Sequence, residues 1–499
     1  MEGAMPVSFV HDTVPSIATI ADADVRAGST PGDATAVGVL VGPDGPLPDG
    51  LDLDWDDLAA AGFGATAGSA LTVPRAGAPT LVLLGLGDGL DRAGLRDAAA
   101  TLARTAAKHR RLAIDPTPAG LTPDDAAQVV TEGVLLARYR YDVLKAQPTV
   151  EPVETLIVVG DDVDAIETGL GVGRAMAEAQ AIARDLANDP PIVLTAARFG
   201  DIAENLGPER GLTVEVFDKA ALEALGCGGL LGVNLGSAEP PRMIKLTYVP
   251  DDPNGHHLSL VGKGIMYDAG GLALKPADET HANMKNDMSG AGSIFGAMLQ
   301  LRALGCRTTV VGYLMCTDNR PSGTAIAMGD VLSIRGGTTV EVANTDAEGR
   351  LVMADALVLA TETDTQAIVD IATLTGATMR ALGTSVAGLF GNDQALVDQV
   401  AAASAATDES AWQMPLERRY RNQLDSSVAD IKNLGGPNAG GITAALFLDH
   451  FVDGRPWAHL DIAGVAESEA DTSWHTPGCT GFGARLLARL ACDFTPTGA

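Results

Sequence analysis

Side chains that can bind a metal ion cluster between residues 263 and 350. Lys263 and Asp268 stand in one segment, Asp287 in a second, and Asp346 and Glu348 in a third. Carboxylates that converge without histidine or cysteine make an oxygen-rich site, which suits divalent cations such as Mn²⁺, Mg²⁺ or Zn²⁺. Two such cations about 3.5–4 Å apart can share a water molecule, lower its pKa and clamp both oxygens of a displacement.

The spacing of these residues predicts how they would be arranged. Asp346 and Glu348 are two residues apart, so on an extended segment both side chains face the same side. Asp268 and Asp287 are expected at neighbouring strand ends. Lys263 is expected at the end of a buried strand, and it can bind a metal only as the neutral amine. Its pKa must then fall far below about 10.4, a shift that burial and a dication both favour.

Two further cations, Lys275 and Arg350, would face a substrate. Lys275 could stabilise an oxyanion as its charge develops. Arg350 carries a planar guanidinium, which suits a carboxylate-like anion. One acidic or basic residue beside glycines is usually a solvated turn residue. The prediction of a metal site therefore depends on all seven of these charged residues together.

Apolar runs that alternate with helical segments must position these side chains. Up to about residue 163 the alternation indicates an α/β layer with a mostly parallel sheet. A long alanine-rich helix is predicted over 164–187, because the prolines that follow cannot continue it. Strands are predicted at 36–41, 80–84, 155–159, 213–217, 244–249, 258–262, 309–314, 367–372 and 459–462. Helices are predicted at 97–109, 289–303, 350–361 and 394–405.

The predicted fold class is therefore α/β with two domains. A smaller N-terminal α/β domain would cover residues 1–163, and residues 164–188 would form a connecting helix. A larger α/β domain with a mixed central sheet would cover 189–499. The chain of 499 residues is long enough for cores of this size. The glycines and proline of 434–441 predict a loop.

Composition narrows the class of protein. The formal net charge of −30 would repel a nucleic-acid backbone or an anionic membrane on average. No apolar run reaches the roughly 18–20 residues of a membrane span, and the N-terminus lacks a signal-peptide pattern. The five cysteines are scattered without zinc-type spacing. These features predict a cytoplasmic protein with reduced thiols.

The acidic cluster also resembles a known signature. Asn-Thr-Asp-Ala-Glu-Gly-Arg-Leu at 344–351 is similar to the signature of the leucyl aminopeptidase family, the cytosol aminopeptidases of the M17 type. The likeness is close over about 180–490 and loose over the first 160 residues. It extends through Val-Gly-Lys-Gly-Ile (261–265), Tyr-Asp-Ala-Gly-Gly-Leu-Ala-Leu-Lys-Pro (267–276), Met-Lys-Asn-Asp-Met-Ser-Gly-Ala (284–291), Ala-Thr-Leu-Thr-Gly-Ala (372–377) and His-Leu-Asp-Ile-Ala-Gly (459–464).

The resemblance implies a set of ligands for two divalent metal ions per subunit. The tighter metal would be held by Lys263, Asp268, Asp287 and Glu348. The more exchangeable metal would be held by Asp268, Asp346 and Glu348. The resemblance implies Mn²⁺ or Zn²⁺, with Mg²⁺ or Co²⁺ as further options, and 189–499 would be a catalytic metallopeptidase domain.

The resemblance also implies catalytic roles and a pocket. Lys275 would polarise the scissile carbonyl, and Arg350 would hold a bicarbonate ion that acts as general base. The enzyme would release N-terminal amino acids from peptides, leucine and other apolar residues preferred, because the free α-amino group binds a metal. Family members are typically homohexamers. The apolar first pocket would include Met284, Thr373, Gly376 and Ala463.

Several positions depart from the family pattern. Ala269 stands where serine is usual, and the run 317–330 differs at several positions. Ala466 stands where a larger apolar residue can occur, which would widen the first pocket. None of these positions is a proposed ligand, so they bear on substrate preference and rate. The sequence leaves the physiological metal, the preferred N-terminal residue, the natural peptides and the role of the N-terminal domain open.

Two other function classes compete with this interpretation. A nucleotide-dependent oxidoreductase would use the glycines of 85–89 or 169–173, but neither segment fulfils GxGxxG in its proper context. They are predicted as turn and helix-packing glycines. A non-catalytic or dual-role binding protein on the same fold, such as a DNA-binding regulator, conflicts with the negative charge. Intact Lys275 and Arg350 also favour catalysis.

Overall fold

The computed structural model describes residues 13–147 and 149–497 and divides the chain into two compact units. Among the described residues, one unit contains residues 14–181 together with 468–477, and the other contains Thr13, 182–467 and 478–497. The predicted boundaries at 163 and 188 lie on either side of the division at 181/182 and stay a prediction. Within the described residues, no helix is long and apolar enough to cross a membrane.

The unit with residues 14–181 is an α/β layer built on a six-stranded sheet. The strand order is β1-β6-β5-β2-β4-β3, and all neighbours are parallel except β3 and β4. Its strands are β1 Asp24–Gly28, β2 Ala36–Val41, β3 Ala70–Val73, β4 Thr80–Gly85, β5 Arg111–Asp115 and β6 Thr155–Val159. Its helices are α1 Ser16–Ala21, α2 Trp55–Ala60, α3 Arg92–Thr105, the 3₁₀ helix Thr117–Ala119 and α4 Pro123–Arg138, followed by α5 Val163–Asn188, which continues into the other unit.

Close backbone approach explains two glycines of the long helix α5. A β-carbon on Gly169 would lie 2.0 Å from the carbonyl oxygen of Asp124, and one on Gly173 would lie 2.6 Å from that of Gln128. Both carbonyls belong to α4, so α4 and α5 can pack this closely only without side chains there. The prediction of helix-packing glycines is confirmed at Gly169 and Gly173, whereas a β-carbon on Gly171 would meet none of the described residues within 4 Å.

The unit with residues 182–467 is built on an eight-stranded mixed sheet in the order β15-β14-β17-β13-β9-β10-β8-β7. Its main strands are β7 Leu212–Phe217, β8 Arg242–Tyr248, β9 His257–Asp268, β10 Thr309–Asn319, β13 Ala367–Ala372, β14 Ala387–Gly391, β15 Ala411–Gln413 and β17 Trp457–Asp461. Short strands are β11 Val331–Ser333, β12 Thr339–Glu341, β16 Ile431–Lys432, β18 Glu467–Ser468 and β19 Gly478–Cys479.

Helices alternate with the strands of this sheet along the chain, as expected of an α/β domain. They are α6 Ala196–Glu209, α7 Lys219–Leu225, α8 Gly228–Asn234, α9 Glu279–Ala282, α10 Ser289–Met298, α11 Gly349–Thr361, α12 Gly376–Leu382, α13 Gln394–Thr407, α14 Gly440–Asp449 and α15 Ala484–Asp493, with 3₁₀ helices at Met284–Met288 and Arg418–Leu424. Both α10 and α11 contact β9, and α10 is buried along its whole length.

The four central strands β17, β13, β9 and β10 are parallel, so their carboxyl ends meet at one edge of the sheet. In parallel α/β sheets this edge is where ligands bind. The predicted mixed sheet is therefore confirmed, and its parallel centre places the chemistry of the chain at that edge.

Several predicted boundaries were wrong. The strand predicted over 258–262 continues to Asp268, because the backbone passes through Gly264 in register with β10. The helix predicted over 289–303 ends at Met298. The predicted loop 434–441 is shorter, since α14 begins at Gly440.

Candidate active site

The predicted metal-binding residues converge at the carboxyl edge of the central sheet. Asp268 is the last residue of β9. Asp287 lies on the 3₁₀ helix Met284–Met288, whereas Asp346 and Glu348 lie in the turn before α11. The oxygen atoms that Asp268, Asp346 and Glu348 offer all lie within 4.8 Å of one another. The structure thus brings together residues that are 80 positions apart in the chain.

Three expected features of this arrangement were wrong. Asp287 does not lie at a strand end, because residues 284–288 form a 3₁₀ helix that leads into α10. The segment with Asp346 and Glu348 is a turn and not an extended strand, and Glu348 has helical dihedral angles at the cap of α11. Lys263 lies within β9 and not at its end. Tertiary packing, and not the two-residue spacing, therefore aligns the carboxylates.

Lys263 is buried among oxygen acceptors. Its Nζ lies 2.9 Å from Asp287 Oδ1 and 2.9 Å from Glu348 Oε1, and it donates to the carbonyl oxygen of Thr373 at 2.9 Å. Burial disfavours the charged form, but the carboxylates outweigh burial and hold the pKa of Lys263 above its usual value. The fall in pKa that metal binding requires depends on a bound dication, so it stays a prediction.

Lys275 bridges the other two carboxylates. Its Nζ lies 2.7 Å from Asp268 Oδ2 and 2.6 Å from Asp346 Oδ1. The side chain of Lys275 is 17% exposed and that of Asp346 is 34% exposed, so this part of the site is the one open to solvent. Burial lowers the pKa of Lys275, but the charges and hydrogen bonds of the neighbouring carboxylates, Asp268 foremost, together outweigh it and the pKa is raised overall.

The donor set fits divalent cations. Four carboxylates face two ammonium groups, and Oδ2 of Asp287 is buried without a hydrogen-bond partner among the described residues. Burial, and next to it the charge of Asp268, raise the pKa values of Asp346 and Glu348. This excess of poorly solvated negative charge is what a hard divalent cation compensates.

Arg350 is buried in the first turn of α11. Its Nη1 donates to the carbonyl oxygen of Asn433 at 2.8 Å, whereas its Nε is buried without a partner among the described residues. Burial lowers the pKa of the guanidinium to about 10. An orphaned guanidinium N–H is a donor that a small planar anion could satisfy.

The predicted pocket residues lie on the segments next to these carboxylates. Met284 begins the 3₁₀ helix that carries Asp287, and Thr373 Oγ1 donates to Asp287 Oδ1 at 2.6 Å. Gly376 begins α12 directly after the Thr373–Thr375 segment, and it is exposed. Ala463 follows β17 and is half-buried.

A buried aspartate that the sequence did not single out organises this pocket. Asp461 Oδ1 accepts from the backbone N–H groups of Leu374, Thr375 and Ala463, each at 3.2 Å. Its Oδ2 accepts from Thr375 Oγ1 at 2.6 Å. The position of Asp461 at the carboxyl end of a predicted strand was a signal for such a role.

Two asparagines were also missed. Asn433 accepts from the N–H of Ala343 and donates to the carbonyl of Asn344, so it fastens the segment before Asp346. Asn319 donates to Asp268 Oδ1 at 2.8 Å. Neither side chain is charged, and only its three-dimensional neighbours reveal its place in the site.

Two histidines lie on elements near the site. His281 lies on the short helix α9, where its ring lies 5.9 Å from that of Tyr267. His459 is buried in β17 with its Nδ1 paired to Asp370. A separate surface depression of about 400 Å³, lined in part by Arg418 and His450, contains none of the residues of the site.

Comparison with known proteins assigns the chain to a family. The profile of the cytosol aminopeptidase family, catalytic domain, matches residues 181–488, and that of the N-terminal domain of the same family matches residues 58–148. The chain therefore belongs to the cytosol aminopeptidase family.

Close relatives support the same assignment. A probable cytosol aminopeptidase of Streptomyces avermitilis is 41% identical over 510 residues, which cover 96% of this chain and 98% of the relative. One of Alkaliphilus metalliredigens is 39% identical over 432 residues, which cover 84% and 86%. The chain is thus a metallo-exopeptidase of the hydrolase class.

Solved structures show the same fold. A bottromycin maturation enzyme in complex with Mn is 38% identical in sequence. Its superposition has a TM-score of 0.84 and covers 92% of this chain and 99% of the other. A tomato leucine aminopeptidase variant is 29% identical, with a TM-score of 0.85 over 94% and 96% of the two chains. The predicted two-domain α/β fold is confirmed.

Proposed function

We propose that this enzyme releases N-terminal amino acids from peptides, leucine and other apolar residues preferred, with two divalent cations bound by its acidic cluster. The observation that supports the proposal is the convergence of Asp268, Asp346 and Glu348 within 4.8 Å, beside the buried amine of Lys263 and the partly exposed amine of Lys275. Family membership supports peptides as the substrates.

Five side chains would hold the cations. Lys263, Asp268, Asp287 and Glu348 are the proposed ligands of the tighter site, and Asp268, Asp346 and Glu348 those of the more exchangeable site. Two divalent cations would supply an activated water and polarise the scissile carbonyl. Mn²⁺ is the first candidate, because a similar enzyme was solved with Mn. Zn²⁺, Co²⁺ and Mg²⁺ also suit such ligands.

Lys275 would stabilise the oxyanion that forms from the scissile carbonyl. Its ammonium lies at the more exposed side of the cluster, where a substrate can reach it. With Asp268 and Asp346 holding cations, the N–H groups of Lys275 would be free to donate to a developing negative charge. A preformed donor of this kind stabilises the transition state more than the ground state.

Arg350 would hold a bicarbonate ion, which supplies a general base. The buried Nε without a partner is the donor that supports this role, and Nη1 is already fixed by Asn433. The rigid fork of the guanidinium matches a planar anion.

The first side chain of the peptide would enter the pocket of Met284, Thr373, Gly376 and Ala463. Ala466, three residues after Ala463, is buried, and its small side chain would leave room for a larger substrate residue. Phenylalanine and methionine should therefore be accepted nearly as well as leucine.

The test uses a matched pair of peptides with a free and an acetylated N-terminus. Single residues should be released from the free form only, because the acetylated form lacks an amine that can bind a cation. Hydrolysis of leucine p-nitroanilide should vanish after chelation and return with Mn²⁺. Equal cleavage of both peptides, seen by mass spectrometry, would contradict aminopeptidase action.

We also propose a cytoplasmic homohexamer. The family resemblance supports this assembly, and the strongly negative charge argues against nucleic acid as a partner. Sedimentation velocity should give a single species of six chains, and a monomer at micromolar concentration would contradict it.

A further inference from the structure

Asn319 ends β10 in the middle of the acidic cluster but carries no charge. Its Nδ2 donates to Asp268 Oδ1 at 2.8 Å and to the carbonyl oxygen of Thr345 at 3.0 Å. Glu348 Oε2 lies 3.5 Å from the same nitrogen. One buried amide thus contacts the end of β9 and both ends of the turn that leads into α11.

An irregularity in the sheet places Asn319 there. Thr317 pairs with Ile265, but the next pair joins Asn319 to Asp268, so β9 advances one residue more than β10. A bulge of this kind re-aims a side chain and is common beside active sites. Beyond the bulge, the N–H of Ala269 donates to the carbonyl of Asn319 at 2.9 Å, so the contact between the two chain segments that follow β9 and end β10 continues.

The glycine pair after Asp268 closes around the amide. Gly271 has a φ of +63°, and a β-carbon there would lie 2.8 Å from Asn319 Oδ1. The N–H of Gly270 donates to Asp268 Oδ1 at 2.8 Å. Asp268 Oδ1 therefore accepts from two N–H groups, whereas Oδ2 lies 2.7 Å from Lys275 Nζ.

We propose that Asn319 is a positioning residue that orients Asp268 and the turn 345–348, so that their oxygens converge on a cation. This inference rests on the proposed metal-dependent function. An amide is suited to the task because it donates hydrogen bonds without cancelling the negative charge of the ligands. A partner that fixes a metal ligand in this way commonly changes metal affinity 10–100-fold when it is removed.

The test compares Asn319→Ala with Asn319→Ser and Asn392→Ala. Asn392 is a matched control, since its amide donates to Asp449 and to the carbonyl of Arg455 and accepts from the N–H of Trp457, none of which belongs to the site. Titration calorimetry with Mn²⁺ on chelator-stripped protein measures affinity, and calorimetric unfolding in chelator measures stability.

Asn319→Ala should bind Mn²⁺ about 10–100-fold more weakly than the wild type. Asn319→Ser, whose hydroxyl can satisfy one acceptor, should bind Mn²⁺ with an affinity between those of Asn319→Ala and the wild type. Asn392→Ala should lower the unfolding temperature and keep the affinity of the wild type. If Asn319→Ala is unfolded in chelator, the Mn²⁺ affinity of Asn319→Ser tests the proposal instead, and it should be weaker than that of the wild type.

Wild-type affinity in both Asn319 variants would overturn the positioning role. A wild-type protein that binds no Mn²⁺, Zn²⁺ or Co²⁺ yet hydrolyses leucine p-nitroanilide would instead overturn the proposed metal-dependent function. The two failures are therefore distinguishable.

Discussion

At the scale of single residues, the site is defined by an imbalance of charge. Asp268, Asp287, Asp346 and Glu348 face the ammonium groups of two lysines, one deeply buried and one partly exposed. The buried lysine lies among proposed ligands of both cations, whereas the exposed one lies where a substrate would approach. This difference in burial suggests a ligand role for Lys263 and a role in the reaction for Lys275.

Lys275→Ala and Glu348→Ala should separate catalysis from metal binding. Lys275→Ala should retain both cations and lower kcat roughly 10²-fold or more, the size typical of losing one oxyanion donor. Glu348→Ala should lose metal, because Glu348 is a proposed ligand of both cations. Metal content by elemental analysis and kcat on leucine p-nitroanilide measure the two effects.

Lys245→Ala is the control, because Lys245 forms its ion pair with the exposed Glu215 on the neighbouring strand, away from the acidic cluster. It should keep metal content and kcat. The assigned roles are wrong if Lys275→Ala loses metal and recovers its full kcat when metal is resupplied.

At the scale of elements, the site depends on close packing of α10 against the sheet. A β-carbon on Gly290 would lie 2.2 Å from the carbonyl oxygen of Ile371 in β13. Backbone atoms cannot shift as a flexible side chain can, so α10 approaches the strands only because residue 290 has no side chain. The 3₁₀ helix that precedes α10 is thereby kept close to the end of β13, where Thr373 donates to Asp287.

Gly290→Ala should therefore lower stability by about 1–3 kcal/mol or more, the range typical of overpacking. Gly292→Ala, in the same helix, should be nearly neutral, because the atoms nearest to its β-carbon, Met288 Cε at 3.4 Å, the carbonyl of Ala183 at 3.6 Å and Leu186 Cβ at 3.8 Å, lie at ordinary contact distance. Denaturant unfolding followed by circular dichroism compares the two. Equal losses for both variants would contradict the packing argument.

The pair of parallel strands β13 and β17 contains a buried ion pair. His459 Nδ1 is paired with Asp370, whose other oxygen accepts from Trp457 Nε1 at 2.6 Å. Burial disfavours the charged imidazole, but the charge and hydrogen bond of Asp370, with the charge of Asp461, together outweigh it and raise the pKa of His459 above its usual value. Each unit of such a rise corresponds to about 1.4 kcal/mol of stability.

Since the pKa is raised in the folded state, this stabilisation is fully present below about pH 6.5 and is lost as the pH rises through the folded value. His459→Gln should therefore lower the thermal unfolding temperature more at pH 6 than at pH 9, relative to the wild type at each pH. Differential scanning calorimetry measures the difference. A larger loss at pH 9 would show that the folded protein holds the imidazole neutral.

At the scale of the whole molecule, bound cations should add to stability. Ligands that bind the folded but not the unfolded chain stabilise by about 2.7 kcal/mol at a concentration 100 times Kd. Chelation should therefore lower the unfolding temperature, and Mn²⁺, Zn²⁺ or Co²⁺ should restore it. An unfolding temperature unaffected by chelation, in protein verified to have lost its metal, would contradict a cation site within the folded structure.

The sequence by itself determined the family, the α/β class and the list of charged residues. Strands such as Ala36–Val41 and Ala367–Ala372 were predicted with their observed bounds, because buried parallel strands are continuous apolar runs. The signature around Asp346 and Glu348 identified the chemistry, because few activities need so many carboxylates and lysines in one order.

Only the tertiary structure decided how these residues meet. The turn that carries Asp346, the 3₁₀ helix that carries Asp287 and the bulge that aims Asn319 leave no periodic pattern in the sequence. The neutral side chain of Asn319 belongs to the site through its hydrogen bond to Asp268, which is distant in the chain. Asp461 likewise belongs to it through the backbone N–H groups that it accepts from. Periodicity reports which face of an element is buried, whereas convergence depends on the packing of several elements at one sheet edge.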